Sequence, residues 1–122
     1  MILRLHSFVP HSLSNGPGLR AVVWFQGCTL ACPGCFNPAT HAADAGHEAD
    51  TESLAAQILA LRPNIDGLSV SGGEPFQQPE ALLDLLARLD GSGLGRLVFS
   101  GYTLEEIERL PLGRDVLARC DL

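Results

Sequence analysis

The chain has 122 residues, 46% of them hydrophobic and 18% charged, and fourteen acidic against eight basic side chains leave a net charge of −6. That length fits a single domain over 1–122 and is about half of the ~250 residues of a complete eight-stranded barrel. The acidic balance disfavours a phosphate-backbone partner and no apolar run approaches the ~20 residues of a membrane span, so neither nucleic acid nor membrane is an expected partner.

The opening run Met1-Ile2-Leu3-Arg4-Leu5-His6 is no apolar leader, and the cytoplasm is the expected compartment. Leu3 to Val9 and Leu19 to Gln26 are β-rich runs, separated by Ser12-Leu13-Ser14-Asn15-Gly16-Pro17-Gly18, whose glycines and proline mark a shaped turn. The second run leads straight into Gly27-Cys28-Thr29-Leu30-Ala31-Cys32-Pro33-Gly34-Cys35. There Pro33 and Gly34 prevent a regular helix and let the backbone wrap closely around a ligand, and the loop is expected to end near Thr40.

From Thr51 to Leu61 the apolar residues Leu54, Ala55, Ile58, Leu59 and Leu61 recur with helical spacing, until Arg62-Pro63 stops the pattern. Leu68 to Ser71 reads as a short buried strand closed by Gly72-Gly73. Pro79 in a first turn, followed by Leu82, Leu85, Leu86 and Leu89 and ended by Gly91, predicts a second helix. Leu97 to Ser100 is another short strand. Thr103 with Glu106 three residues on forms a capping box for a third helix carrying Leu104, Ile107 and Leu110, and Pro111 ends it. Arg114 to Leu122 reads as a helix end followed by the start of a strand. The alternation of strand and helix predicts an α/β fold with a mainly parallel sheet and right-handed crossovers.

The three cysteines Cys28, Cys32 and Cys35, spaced CxxxCxxC, are the chemically pointed feature. A disulfide framework uses an even set of cysteines in a secreted chain. Structural zinc takes two separated cysteine pairs or a cysteine/histidine quartet, for which only Cys120 and the scattered His6, His11, His41 and His47 remain. The ligand count favours a 4Fe–4S cluster over zinc. A closed cluster takes four cysteines, so three thiolates leave one iron open to a bound molecule.

In a parallel α/β sheet, ligands bind at the carboxyl ends of the strands. Three loops here follow predicted strands directly: the cysteine loop, Ser71-Gly72-Gly73-Glu74-Pro75 and Ser100-Gly101-Tyr102-Thr103. The glycine pair allows close backbone approach, and Glu74 can set a carboxylate against a ligand ammonium. Together with Asn15-Gly16-Pro17-Gly18-Leu19-Arg20 and Gln26-Gly27-Cys28 through Cys35-Phe36-Asn37-Pro38, these motifs resemble the radical S-adenosylmethionine enzymes. Within them they are most similar to the activating enzymes of glycyl-radical enzymes, in the branch serving anaerobic ribonucleotide reductase. The likeness covers almost the whole chain, in order.

The resemblance implies a partial (βα) barrel, truncated or minimal, that stops short at Cys120-Asp121-Leu122, where an unpaired sheet edge would be left. It implies that Cys28, Cys32 and Cys35 ligate a 4Fe–4S cluster and that S-adenosyl-L-methionine chelates the open iron. Gly72, Gly73 and Glu74 would hold its methionine amino group. Reductive cleavage would then yield methionine and a 5′-deoxyadenosyl radical, which takes hydrogen from a glycine Cα of a partner, the large subunit of anaerobic ribonucleotide reductase. A one-electron donor such as flavodoxin is implied as well. Family members often carry an aromatic residue where Gly34 stands, and the reductase-activase branch tolerates glycine there. Amides near Gly27 and Gly34 can hydrogen-bond cluster sulfurs, while Phe25, Leu30 and Phe36 shield them.

Ser100 and Tyr102 have two readings, contact with the adenosine or packing and capping of the following helix. Val98 and Phe99 offer no polar group for the ribose, whose contact is unassigned. Trp24 is read as core, the four histidines as surface or loop, Cys120 as a buried structural thiol, and Arg20 as solvated rather than as a contact for partner or cofactor. Two other functions compete: a radical S-adenosylmethionine enzyme acting on a small molecule or peptide, and a non-catalytic iron–sulfur binding or electron-transfer module.

Overall fold

Five strands build one sheet: β1 (Ile2–Ser12), β2 (Arg20–Phe25), β3 (His47–Asp50), β4 (Gly67–Gly72) and β5 (Gly95–Val98), in the order β3-β1-β2-β4-β5. Among the described residues four helices accompany them: α1 (Thr51–Ala60), α2 (Pro79–Ala87), α3 (Leu104–Arg109) and α4 (Gly113–Leu117). The structure, a computed structural model, describes residues 1–13, 16, 18–26 and 47–120.

The α/β class is as expected, but the sheet is mixed rather than mainly parallel. β2, β4 and β5 run parallel, while β1 pairs antiparallel with both β2 and β3. Connection length decides this. Parallel neighbours need a crossover of a dozen or more residues, which α1 and α2 supply ahead of β4 and β5; the short segment between Ser12 and Arg20 allows only a hairpin. Among the described residues the sheet is open, with β3 and β5 at its edges, and no closed barrel is formed.

β1 runs on past Val9 through Pro10, which has no N–H to give a ladder. Its register with β2 shifts between Val9 and Ser12, and its pairing with β3 stops at Leu5, so the proline stands where no neighbour needs its donor. β3 was not expected: its residues His47-Glu48-Ala49-Asp50 carry no strand propensity, and it is a strand because it pairs along Ile2 to Leu5. At the far end, the helix end expected from Arg114 is the end of α4, and a turn up to Cys120 follows it, with no strand among the described residues there.

β4 is buried along nearly its whole length because it lies between two parallel neighbours. Leu3, Leu5, Ala21, Val23, Phe25, Leu68 and Val70 of the sheet form one core with Leu54 and Ile58 of α1, Leu82, Leu85 and Leu86 of α2, Ile107 of α3 and Val116 of α4. Trp24, expected in the core, is half-buried. Gly113 is required where α3 turns into α4, since a Cβ there would overlap the Ile107 carbonyl.

Arg20 corrects the expectation of a solvated side chain. It is 5% exposed at the start of β2, donating from Nε to Ser69 Oγ (2.8 Å) and from Nη2 to Leu68 O (3.0 Å). Gly67 leaves the space its guanidinium fills. Arg20 pairs with Gly67 at the first residue of the β2–β4 register, whereas Phe25 and Gly72 end it, so the guanidinium lies at the opposite end of these strands from Phe25 and Gly72.

The first residue of α1 is fastened to α2, for the buried Thr51 hydroxyl donates to Asp84 Oδ2, which also accepts from Arg88 Nε (2.9 Å). The Thr51 bond, then Arg88, hold the Asp84 carboxyl below its ordinary range; Arg96 does the same for Asp90 and the Thr103 backbone for Glu106. A carboxyl with a depressed folded pKa contributes stability that is present above the unfolded value near pH 4 and is lost as pH falls through the folded one. Urea midpoints are therefore expected to hold level from pH 7 to about 5 and to fall below about 4. Thr51→Val is expected to cost about 1 kcal/mol at pH 7, and this difference should shrink as pH falls through the lowered folded value of Asp84, which parallel urea titrations of the two proteins would show.

Candidate functional site

The carboxyl ends of β2, β4 and β5 stand side by side, and that is where the candidate residues gather. Phe25 and Gly72 are register partners at the ends of β2 and β4, and Gly73 N–H donates to Phe25 O (2.8 Å). Gly72 has φ +104°, and a Cβ would overlap the backbone N and O of Phe25. Only glycine lets the two main chains meet here. Sequence spacing suggested this closeness, and the structure supplies its object: the strand that leads into the cysteine loop.

Immediately beyond, Glu74 is 1% exposed and starts a 3₁₀ turn over Pro75–Gln77. Its Oε2 accepts from Phe76 N–H (2.9 Å), its Oε1 from Gly101 N–H (2.7 Å), and the Ser100 hydroxyl donates across both oxygens (2.9 Å to each). Ser100 Oγ in turn accepts from Tyr102 N–H (3.1 Å), and Tyr102 Oη lies 3.4 Å from Gln77 Nε2. The loop after β4 and the loop after β5 are thereby stitched together at two points. Glu74, expected to set a carboxylate against a ligand ammonium, accepts here from three donors of its own chain.

The electrostatics of this carboxylate are unusual. The chain contains no lysine, all eight arginines are among the described residues, and no arginine or described histidine forms an ion pair with Glu74. Held by three neutral donors, this buried carboxylate keeps part of its desolvation cost. A cation nearby would offset it.

Beneath the Ser100–Tyr102 turn lies a cavity of about 190 Å³ lined by Phe76, Val98, Ser100, Tyr102, Ile107 and Cys120, among others. The half-buried Tyr102 forms part of its wall and packs against the core. Cys120 is half-buried rather than buried, with its thiol toward Val116 O (3.3 Å).

Two polar residues that sequence reasoning passed over brace the approach to the cysteine loop. Gln26 is buried, and its Oε1 accepts from His6 Nδ1 (3.2 Å). Gln78 Oε1 accepts from Arg4 N–H (2.7 Å), while its Nε2 donates to Arg4 O (2.9 Å) and Gln26 O (3.0 Å). No local pattern marks Gln78, because its partners stand 74 and 52 residues away. The expected ligands Cys28, Cys32 and Cys35, together with Gly34, lie outside the described residues. Phe25 and Gln26, the last described residues before them in the chain, lie next to Gly73 and Gln78.

The family described as a 4Fe-4S single cluster domain matches residues 14–122. The pyruvate formate-lyase-activating enzyme of Clostridium pasteurianum is 41% identical over 112 residues, covering 88% of this chain and 47% of that enzyme. The anaerobic ribonucleoside-triphosphate reductase-activating proteins of Salmonella typhi and Escherichia coli K12 are 33% and 32% identical over 113 residues, covering 86% of this chain and 73% of each of them. The chain thus spans about half the length of the first of these relatives and about three quarters of the others. Three thiolates in a short loop are a donor set that suits a 4Fe–4S cluster, and no helix among the described residues is long and apolar enough to cross a membrane. With its cysteine spacing, its Gly-Gly-Glu turn against the loop-bearing strand and these likenesses, the chain belongs to the 4Fe–4S family of radical S-adenosylmethionine type that contains the glycyl-radical-enzyme activases, enzymes of the oxidoreductase class.

Proposed function

We propose that the chain, acting as one catalytic domain over 1–122 with a partial-barrel core, cleaves S-adenosyl-L-methionine reductively and thereby places a radical on a glycine of a partner enzyme in the cytoplasm. The observation that carries this reading is the buried Glu74, a carboxylate with no cationic side chain paired to it among the described residues, next to the strand that leads into three cysteines. S-adenosyl-L-methionine carries two cationic groups, an ammonium and a sulfonium, and Glu74 favours either from beneath the Gly72-Gly73 turn.

In this reading Cys28, Cys32 and Cys35 hold three irons. Gly34 lets the loop close over the cluster. Gly72 and Gly73 give the cofactor close access to main chain at the end of β4, and Tyr102 bounds the adenosine side. When bound, the cluster and S-adenosyl-L-methionine supply a 5′-deoxyadenosyl radical that takes hydrogen from the partner's glycine Cα. The chain's own residues exclude water and keep the ligand over the strand ends; Phe25, buried at the end of β2, is one such wall.

The large subunit of anaerobic ribonucleotide reductase is the proposed partner and flavodoxin the proposed electron donor. Pyruvate formate-lyase is a second partner, favoured by the 41% identity to the clostridial activating enzyme. Anaerobic protein reconstituted with iron and sulfide, reduced, and given S-adenosyl-L-methionine is expected to form 5′-deoxyadenosine. Each candidate partner is then added and assayed for a glycyl-radical doublet by electron paramagnetic resonance. Cleavage without a doublet on either would point to a small-molecule or peptide substrate, and no cleavage to a non-catalytic cluster module.

A further inference from the structure

We infer that Ser100 is a positioning residue for the cofactor, acting through Glu74 and Tyr102 and not by touching the ligand. This rests on the proposed function and assigns a role within that same site. A serine hydroxyl has one proton to donate and lone pairs to accept with. Here the proton lies across both Glu74 oxygens at 2.9 Å, and a lone pair accepts from Tyr102 N–H at 3.1 Å. The hydroxyl therefore faces into the protein.

Its three neighbours belong to different parts of the site. Glu74 follows the glycine pair fixed against Phe25; Gly101 N–H shares Glu74 Oε1; Tyr102 begins the approach to the capping box of α3. β5 is an edge strand of only four residues, and the turn after it is exposed at Gly101 and Thr103. Without the hydroxyl, the Gly101 bond to Glu74 and the more distant Gln77 to Tyr102 contact would be left to fix that turn over the strand ends. The Ser100 and Gly101 bonds to Glu74 are both charge-assisted, but only the Ser100 hydroxyl also accepts from Tyr102 N–H, so its removal takes away two links at once and should loosen the turn most.

Cluster-loaded protein made without oxygen is compared as wild type, Ser100→Ala and Ser100→Thr. Two quantities are read: amide hydrogen exchange at Gly101 and Tyr102 without cofactor, and the dissociation constant for S-adenosyl-L-methionine by equilibrium dialysis. Ser100→Ala is expected to speed both amides about tenfold and weaken binding about tenfold, from loss of one charge-assisted bond. Ser100→Thr keeps the hydroxyl and should stay within about threefold of wild type on both measures. Should the alanine variant not fold, Ser100→Cys, with a weaker donor of similar size, serves the same comparison.

Faster exchange with unchanged binding would reduce Ser100 to a purely structural part and overturn the inference, as would no change in either quantity. Both results leave the proposed function intact. Failure of the wild type itself to bind S-adenosyl-L-methionine overturns the function and the inference together, and is recognised from the wild-type measurement alone.

Discussion

Cys32→Ala protein, reconstituted anaerobically beside the wild type, is expected to fail to retain a stoichiometric 4Fe–4S cluster and to form 5′-deoxyadenosine only at background level. With three cysteines as the whole thiolate set of the loop, losing the middle one leaves two, and a cluster ordinarily rests on four ligands. Cys28→Ala and Cys35→Ala should behave alike. Cys120→Ala is the control, since that thiol lies beside α4 facing Val116 O, and its iron and sulfide content should match wild type. Iron and sulfide analysis checks the prediction directly. A Cys32→Ala protein with a full cluster would show that the ligand set lies elsewhere.

Glu74→Ala carries the largest expected effect on folding, a loss of about 3 kcal/mol from a total of ~5–15 kcal/mol for a domain. Three donors converge on this carboxylate, and each buried donor left unpaired costs about 1–3 kcal/mol. Gly101 is exposed and its N–H can turn to water; Phe76 N–H and the Ser100 hydroxyl bear the rest. Glu74→Gln should cost about 2 kcal/mol, because its amide nitrogen would face a donor. The sign of the Glu74→Gln effect is decisive. A carboxylate kept only for a ligand would be a buried, uncompensated charge whose neutralisation stabilises the free protein. Urea unfolding of both variants without cluster or cofactor reads this, and a raised midpoint for Glu74→Gln would refute the fastening role of the side chain.

Much of the scaffold followed from local chemistry. The capping box reads directly from Thr103 and Glu106: Glu106 N–H donates to Thr103 Oγ1 (3.2 Å), and Thr103 N–H to Glu106 Oε1 (2.9 Å). The buried strand before Gly72-Gly73 and the helix after Pro79 are equally local, set by an apolar run, a helical repeat and a proline that suits a first turn. The convergence of the loops after β4 and β5 followed from strand alternation.

What escaped sequence reading depends on distant partners. β3 is a strand only because the backbone of β1 lies beside it. Arg20 has the composition of a surface residue, and its burial rests on a serine 49 residues later and on the missing side chain of Gly67. The inward turn of Ser100 and Glu74 had the same cause. A serine and a glutamate at the strand ends of an α/β sheet suggest ligand contacts, and only the spacing of two neighbouring loops reveals that they satisfy one another.

Gln78 joins three parts of the molecule through one carboxamide, at the start of α2, on the main chain of Arg4, and on the carbonyl of Gln26. A helix can ordinarily fray at its amino end at little expense to anything else. Here that loosening would also free the main chain of Arg4 and the carbonyl of Gln26, so the least ordered step of a helix becomes coupled to the last described residue before the cysteines.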